Sequence, residues 1–212
     1  YSSTIQKNSN HANAYYYRGG IMFEQKEYSS AVADFDKAIQ LKADYAYAYN
    51  DRGSAKRELG DYSGAAADYK KATELKPDMA FAYTNLGSSL RKKEDFKGAI
   101  AAYDQAIKVK SSYLAYNNRG SAYYDAKDYK GAIEDFTNAI KLKIDYSIAY
   151  NNRGAAKFKP LFVMSGDVDG IDNCGPRHSL PAILRLQRRN DQFKKLPGPA
   201  RQGIDAVRMS RA

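Results

Sequence analysis

Few residues in this chain have an obvious claim on catalysis or metal binding, and their spacing supports neither. The two histidines, His11 and His178, are far apart in sequence, and Cys174 lies four residues from His178. A zinc site needs four convergent ligands, or three and an open position. A Cys–His pair alone does not make one. Asp167, Asp169 and Asp172 have the look of the start of a calcium loop, but the sixth position from Asp167 is Asp172, where glycine is needed, and the twelfth is His178, where glutamate is needed. These acids read as an acidic turn. No phosphate-binding loop, nucleophile elbow or dinucleotide fingerprint occurs. No cofactor, metal ion or small-molecule substrate is expected, and function is sought in binding.

The elements that would position a binding surface are set by a repeat. Gly19, Gly53, Gly87, Gly120 and Gly154 are spaced 34, 34, 33 and 34 residues apart. Ala31, Ala65, Ala99 and Ala132 recur in the same frame, as do Ala38, Ala72, Ala106 and Ala139. A period of about 34 is the signature of a helical solenoid. Within each period, apolar residues fall at helical spacing, as in Ile133, Phe136 and Ile140. Full units are placed at 12–45, 46–79, 80–112 and 113–146, with a half unit at 147–160. Residues 1–11 are the remnant of a preceding repeat, of which 1–7 read either as the stub of its second helix or as an unstructured start. The one-residue deletion between Gly87 and Gly120 is expected in the turn around Ser111–Ser112, since inside a helix it would rotate the apolar face.

The pattern resembles the tetratricopeptide repeat, with Tyr in place of that family's usual Trp. Tyr49, Gly53, Tyr62, Ala65, Tyr69, Ala72 and Pro77 carry it most cleanly. The resemblance covers about residues 12–158 and implies an all-α, right-handed α-solenoid of helix-turn-helix repeats. The small residues are expected where helices cross closely, the tyrosines where area must be filled with a polar tip to spare. Arg18, Arg52, Arg119 and Arg153, each immediately before the glycine, imply one shared environment. A pairing with an acid or helix-end carbonyl of a neighbouring unit, at the seam between units, is expected for them.

By resemblance to the family, the first helix of each unit lines a concave groove. The candidate partner-binding residues are Tyr17, Asn50, Asp51, Asn85, Arg91, Asn117, Asn118, Tyr124, Asn151 and Asn152. Asn85, Asn118 and Asn152 form a ladder, one per unit. A carboxamide both donates and accepts, so a column of them can grip an extended peptide backbone of any sequence. The ladder is similar to that of the repeat domain of O-linked N-acetylglucosamine transferase. The family's two-carboxylate clamp for acidic chaperone tails is missing, because its positions hold Tyr16 and Gly20 in one window and Leu114 with Asn118, or Ile148 with Asn152, in others.

The net charge of +10 raises nucleic acid as a partner. The groove positions, however, carry Arg57, Arg91, Lys92 and Lys159 against Glu24, Asp51, Glu58 and Asp125, which is no basic stripe. Nucleic acid is therefore disfavoured, and the lysine excess on second helices fits the helix dipole. No apolar run reaches membrane-span length. One cysteine fits any compartment, with the cytoplasm favoured. The first residue is Tyr, so the native N-terminus is expected to lie upstream.

Residues 161–212 differ from the rest: all 19 tyrosines precede them, and they hold 9 Lys/Arg against 5 Asp/Glu. Pro160 is expected to turn Lys159 out of helix, 161–178 to form loop, and a short helix to start at Ser179. This tail is either a capping segment or a frameshifted or mis-spliced one, and the loss of tyrosine favours the latter. The sequence thus reads as a non-catalytic protein–protein interaction module that binds a protein or peptide, with uncapped ends that allow self-association. The alternative is the repeat portion of a larger enzyme, such as a glycosyltransferase, whose catalytic domain lies elsewhere.

Overall fold

The computed structural model describes residues 1–163 apart from residue 8, and over these the chain is an all-α solenoid. A short α1 (Ser2–Lys7) packs against α2 (Ala12–Glu24), which pairs with α3 (Tyr28–Leu41). The pairs α4 (Ala46–Glu58) with α5 (Tyr62–Leu75), α6 (Ala80–Lys92) with α7 (Phe96–Val109), and α8 (Tyr113–Asp125) with α9 (Tyr129–Leu142) follow, and α10 (Ser147–Val163) packs on α9 and α8. Successive first helices, α2 with α4 onward to α10, also touch one another. No comparable contact joins successive second helices among the described residues. First helices therefore crowd the inner face and second helices fan outward.

Small and aromatic residues build this packing together. Phe35, Tyr69, Tyr103 and Phe136 are fully buried, each with its ring against the mid-helix glycine of its own pair. Ala139 packs with Ile140 and Ala149, joining one pair to the next first helix. Among the described residues one buried side-chain polar atom lacks a partner: Ser89 Oγ, on α6. Ala55, Ala122 and Ala156 hold the corresponding places, all fully buried. Ser89→Ala is expected to stabilise the chain by about 1 kcal/mol by removing an unmet hydroxyl. A urea titration checks this, and a loss of stability would show that the hydroxyl has a partner in solution.

The first helices of the four full pairs end in the same tight turn. Lys26, Gly60, Glu94 and Lys127 adopt φ of 64°, 84°, 61° and 64°. The amides of the next residues, Glu27, Asp61, Asp95 and Asp128, reach back to Met22, Lys56, Leu90 and Tyr123, closing a Schellman motif. Three of those residues then cap the following helix: Asp61, Asp95 and Asp128 accept from the amides of Gly64, Gly98 and Gly131 at 2.8–2.9 Å. Glu27 makes no such side-chain bond. Three of the four left-handed positions carry a side chain, which destabilises by roughly 1 kcal/mol each. Lys127→Gly is expected to recover about that much, raising Tm with no change in helix content.

The one-residue difference between units lies in a linker. The segment from α7 to α8 has three residues (110–112), whereas the others between pairs have four. The shorter linker ends in Ser112, whose hydroxyl accepts from the Ala115 amide at 3.2 Å. The linkers before α4 and α6 end in Tyr45 and Met79, which make no side-chain cap bond.

Two expectations need correction. α10 continues through Pro160 to Val163 instead of stopping at Lys159. Proline removes a single intrahelical bond there, and the Leu-Phe-Val that follows is apolar, unlike the polar and glycine residues at which the other first helices turn. The arginines, in turn, take their main partner from their own helix pair. Arg18 grips Asp34 in a two-pronged bond at 2.6 Å. Arg52 grips Asp68 at 2.9 and 2.5 Å, and Arg119 grips Asp135 at 2.7 Å twice. Only the remaining nitrogen crosses the seam, from Arg52 to Asp36 and from Arg119 to Asp104, both at 2.6 Å. Arg153 reaches Thr137 at 3.4 Å. The seam bonds are as short as those within a pair, so Arg52 and Arg119 are each shared by two acids, the own-pair aspartate holding two nitrogens and the neighbouring unit's holding one. The readings placed on 164–212, including Cys174, His178, the three aspartates and the tail helix, lie outside the described residues.

Candidate functional site

The inner face is built by α2, α4, α6, α8 and α10, and two neighbouring positions on each helix decide its character. The first position is Tyr16, Asn50, Thr84, Asn117 or Asn151; the second is Tyr17, Asp51, Asn85, Asn118 or Asn152. Successive helical residues point about 100° apart, so the two positions have different fates. Asn50 and Asn117 are buried, at 5% and 6% exposure. Both depart from the expectation: they turn toward the next first helix and do not face the groove. Tyr17 is half exposed and Asn151 exposed, while Asp51, Asn85, Asn118, Asn152, Arg91 and Tyr124 are intermediate.

A clasp joins the first position of one helix to the second position of the next. Tyr16 donates its hydroxyl to Asp51 Oδ2 at 2.7 Å. Asn85 Nδ2 donates to Asn50 Oδ1 at 3.1 Å, and Asn152 Nδ2 to Asn117 Oδ1 at 3.1 Å. The same contact thus recurs at three junctions. Burial, and then the bond to Asp51, push the Tyr16 phenol up and keep it protonated. Burial also pushes the Asp51 carboxyl up, against the bonds it accepts from Tyr16 and Asn50. At the fourth junction Thr84 bonds the Ala80 carbonyl of its own helix instead. Among the described residues Asn118 carries no side-chain hydrogen bond, so its whole carboxamide is uncommitted. The ladder is therefore unequal: Asn85 and Asn152 each give one N–H to the fold, and Asn118 gives none.

Beyond the amides lies a floor of hydroxyls that the sequence did not single out as pairs. Ser54 Oγ meets the Tyr69 hydroxyl, and Ser88 Oγ the Tyr103 hydroxyl, each at 3.0 Å. Ser54 also donates to the Asn50 carbonyl at 3.2 Å, and where the buried ring is Phe136, Ser121 keeps only the equivalent bond, to the Asn117 carbonyl at 2.9 Å. The signal was present: serine stands 15 residues before the tyrosine in both units. Burial pushes both tyrosines up, so they remain neutral.

The far edge is charged. Arg57, Glu58, Tyr62, Ser88, Arg91, Lys92 and Asp125 line a cleft of about 520 Å³. Arg91 Nε donates to Asp125 Oδ2 at 2.5 Å, across from α6 to α8. Arg57 meets Glu58 at 3.3 Å with both side chains solvated, an arrangement of small worth. Lys92 makes no ion pair among the described residues. A second cleft of about 250 Å³ adjoins, reaching Tyr124, Ser121 and Asn152. The structure thus brings Arg91, Tyr124 and Asn152 to one place, with Asn85 and Asn118 on the same run of first helices. Among the described residues no group of three or more metal-ligating side chains converges, and no helix is long and apolar enough to cross a membrane.

Comparison with known proteins agrees with this architecture. A tetratricopeptide repeat model matches residues 1–47 and 84–147, and a TPR repeat model matches residues 53–93. Among solved structures, a crystal structure of MamA superposes with a TM-score of 0.66 at 22% identity, covering 69% of this chain and 86% of that one. MamA 41-end from Desulfovibrio magneticus RS-1 gives 0.60 at 19% identity, covering 73% and 93%. The first TPR of Spaghetti (RPAP3), bound to the HSP90 peptide SRMEEVD, gives 0.53 at 21% identity, covering 55% and 93%. At such identities the likeness is one of fold. No curated protein matches the chain.

Proposed function

Because the chain belongs to the tetratricopeptide repeat family, we propose that it is a non-catalytic protein-interaction module that holds a peptide or partner segment along its concave face. Asn118 carries the reading. It sits partly open on the inner face with an uncommitted carboxamide, flanked by Asn85 and Asn152, each with one N–H already engaged. Such a group is satisfied by water in the free protein and can meet a peptide N–H and C=O together. Arg91 and Tyr124 supply side-chain contacts beside it, and Tyr17 on α2 and Asn151 on α10 supply them further along the groove. The RPAP3 repeat domain, a neighbour in fold, is bound to a peptide, which supports the class of ligand. The clamp positions that hold Leu114 and Ile148 here argue against an acidic chaperone tail as that ligand.

The test uses the full chain. Asn118→Ala is expected to weaken partner binding about five- to thirtyfold, the worth of one or two hydrogen bonds, and to leave Tm unchanged. A photo-crosslinking residue at position 118 or 124 is expected to capture the partner, and one at the exposed Lys97 of α7 is not. Capture from Lys97 alone, with Asn118→Ala binding as tightly as the parent, would place the interface on the outer face and end this reading.

A further inference from the structure

One column on the inner face is largely apolar, and within it only Tyr47 is hydrogen-bonded, its hydroxyl accepting from Lys76 at 2.8 Å. Tyr47, Phe81, Leu114 and Ile148 occupy the same place in four successive first helices, and they are 41%, 47%, 47% and 51% exposed. Each lies one helical turn before Asp51, Asn85, Asn118 or Asn152, on the same helix face. The rings of Tyr47 and Phe81 stack with centroids 6.4 Å apart, so the column is continuous across that junction. Across the first helices, the groove has an apolar edge, an amide and hydroxyl floor, and a charged edge where Arg57 and Lys92 are poorly neutralised.

We propose that this face binds an extended peptide in the left-handed, three-residue-per-turn conformation, with an apolar residue at every third position and an acidic residue against Arg57 and Lys92. The inference rests on the groove reading above and names its ligand. Three conformations compete for such a groove. An α-helix satisfies its own N–H and C=O groups internally, so the carboxamide floor would have nothing to bond. A β-strand returns a side chain to one side about every 6.7 Å. The polyproline-type helix returns one about every 9.3 Å and leaves its whole backbone open to hydrogen bonding. Packed helix axes lie about 8–10 Å apart, a range that holds the polyproline-type return and not that of a β-strand. The last therefore keeps step with one apolar side chain per helix, although the rings of Tyr47 and Phe81 themselves approach to 6.4 Å. Its open backbone is also what Asn118 and its partly engaged neighbours are equipped to meet. The charge follows from the far edge: Arg91 is matched by Asp125, whereas Arg57 has only a solvated neighbour and Lys92 has no ion pair among the described residues. A carboxylate complements that pair, and a lysine would be repelled.

The experiment titrates the full chain with fluorescent synthetic peptides on a proline-rich background, carrying leucine at every second, third or fourth position and one central glutamate. The every-third series is expected to bind at least about tenfold tighter than the others, and to lose about tenfold in Phe81→Ser or Leu114→Ser, as burial of one apolar side chain predicts. Both side chains are solvent-exposed, so neither substitution opens a core cavity, and thermal melts would verify that. Exchanging the glutamate for lysine is expected to weaken binding further. If another spacing binds best and Asn118→Ala still weakens it, the ligand inference falls while the groove reading stands. Binding indifferent to both Asn118→Ala and Phe81→Ser overturns both readings. If no series binds, or if the chain self-associates in ultracentrifugation and Phe81→Ser abolishes it, the column is not a site for this peptide.

Discussion

Asp135→Ala is expected to cost about 3 kcal/mol, because it leaves the Arg119 guanidinium without the carboxylate that holds two of its nitrogens in a largely buried site. Arg119→Leu is expected to cost a similar amount, since Asp135 is almost wholly buried and would lose the ionic partner that compensates it. The double change should be far milder, within about 1 kcal/mol of the parent, and against two single losses of about 3 kcal/mol that is a coupling of roughly 5 kcal/mol. The chain itself supplies the reason. In the third helix pair the same two places hold Leu86 and Ala102, and that pair packs with its tyrosine as deeply buried as the others. A buried ion pair can be exchanged whole for apolar groups, but not by halves. Urea unfolding of the four proteins measures this, and additive losses would show that the two residues act separately. Binding in the groove should be the same in all four when folded, because Arg119 faces α9 and α7 through Asp135 and Asp104.

That cycle also shows where sequence reasoning stops. The period and the helix pairs were legible because packing repeats the same demand at the same place in each unit. The environment of Arg119 was legible as a shared one, and the expected acid of the neighbouring unit is there in Asp104, but the two-pronged bond to Asp135 of its own pair was missed. Recurrence says that a contact exists and is silent on which neighbour makes it. The better clue was joint loss: the unit lacking arginine at 86 also lacks aspartate at 102. The left-handed Lys26, Glu94 and Lys127 were invisible because nothing in a lysine or glutamate announces positive φ, and only Gly60 has the expected residue type.

The groove was legible by position and not by orientation. Asn117 and Asn118 look alike in a string of letters, but one rotation step separates a buried clasp from an open floor. Asn50 and Asp51 divide in the same way, the first turned to the next helix and the second left on the inner face. Interlocking units through the residue type that would also read a ligand limits the ladder. Asn85 and Asn152 each surrender an N–H to the preceding unit, whereas Asn118 keeps both because Thr84 bonds its own helix. The clasped residues are 35 apart at three junctions. Thr84 and Asn118 are one residue closer, because the linker before α8 is the short one. The single junction without a clasp is therefore also the single junction with altered spacing, and both marks are visible in the letters.

The adjacent glycines of α2 should respond to the same substitution with opposite signs. A Cβ on Gly19 would stand 2.9 Å from Phe35 Cε1, 3.0 Å from its Cδ1 and 3.3 Å from the Ala31 carbonyl oxygen. Phe35 is fully buried and the carbonyl belongs to helix backbone, so neither can retreat freely. Gly19→Ala is therefore expected to destabilise the chain by about 1–3 kcal/mol, the range for overpacking a core. A Cβ on Gly20 would meet nothing within 4 Å. There the only change is the backbone entropy that glycine forfeits in a helix, and Gly20→Ala should stabilise by roughly 0.5–1 kcal/mol. Thermal melts of the two variants separate these effects in a single comparison. Equal shifts of the same sign would mean that helix propensity, rather than the close crossing of α2 and α3, selects glycine at the repeat's most regular position.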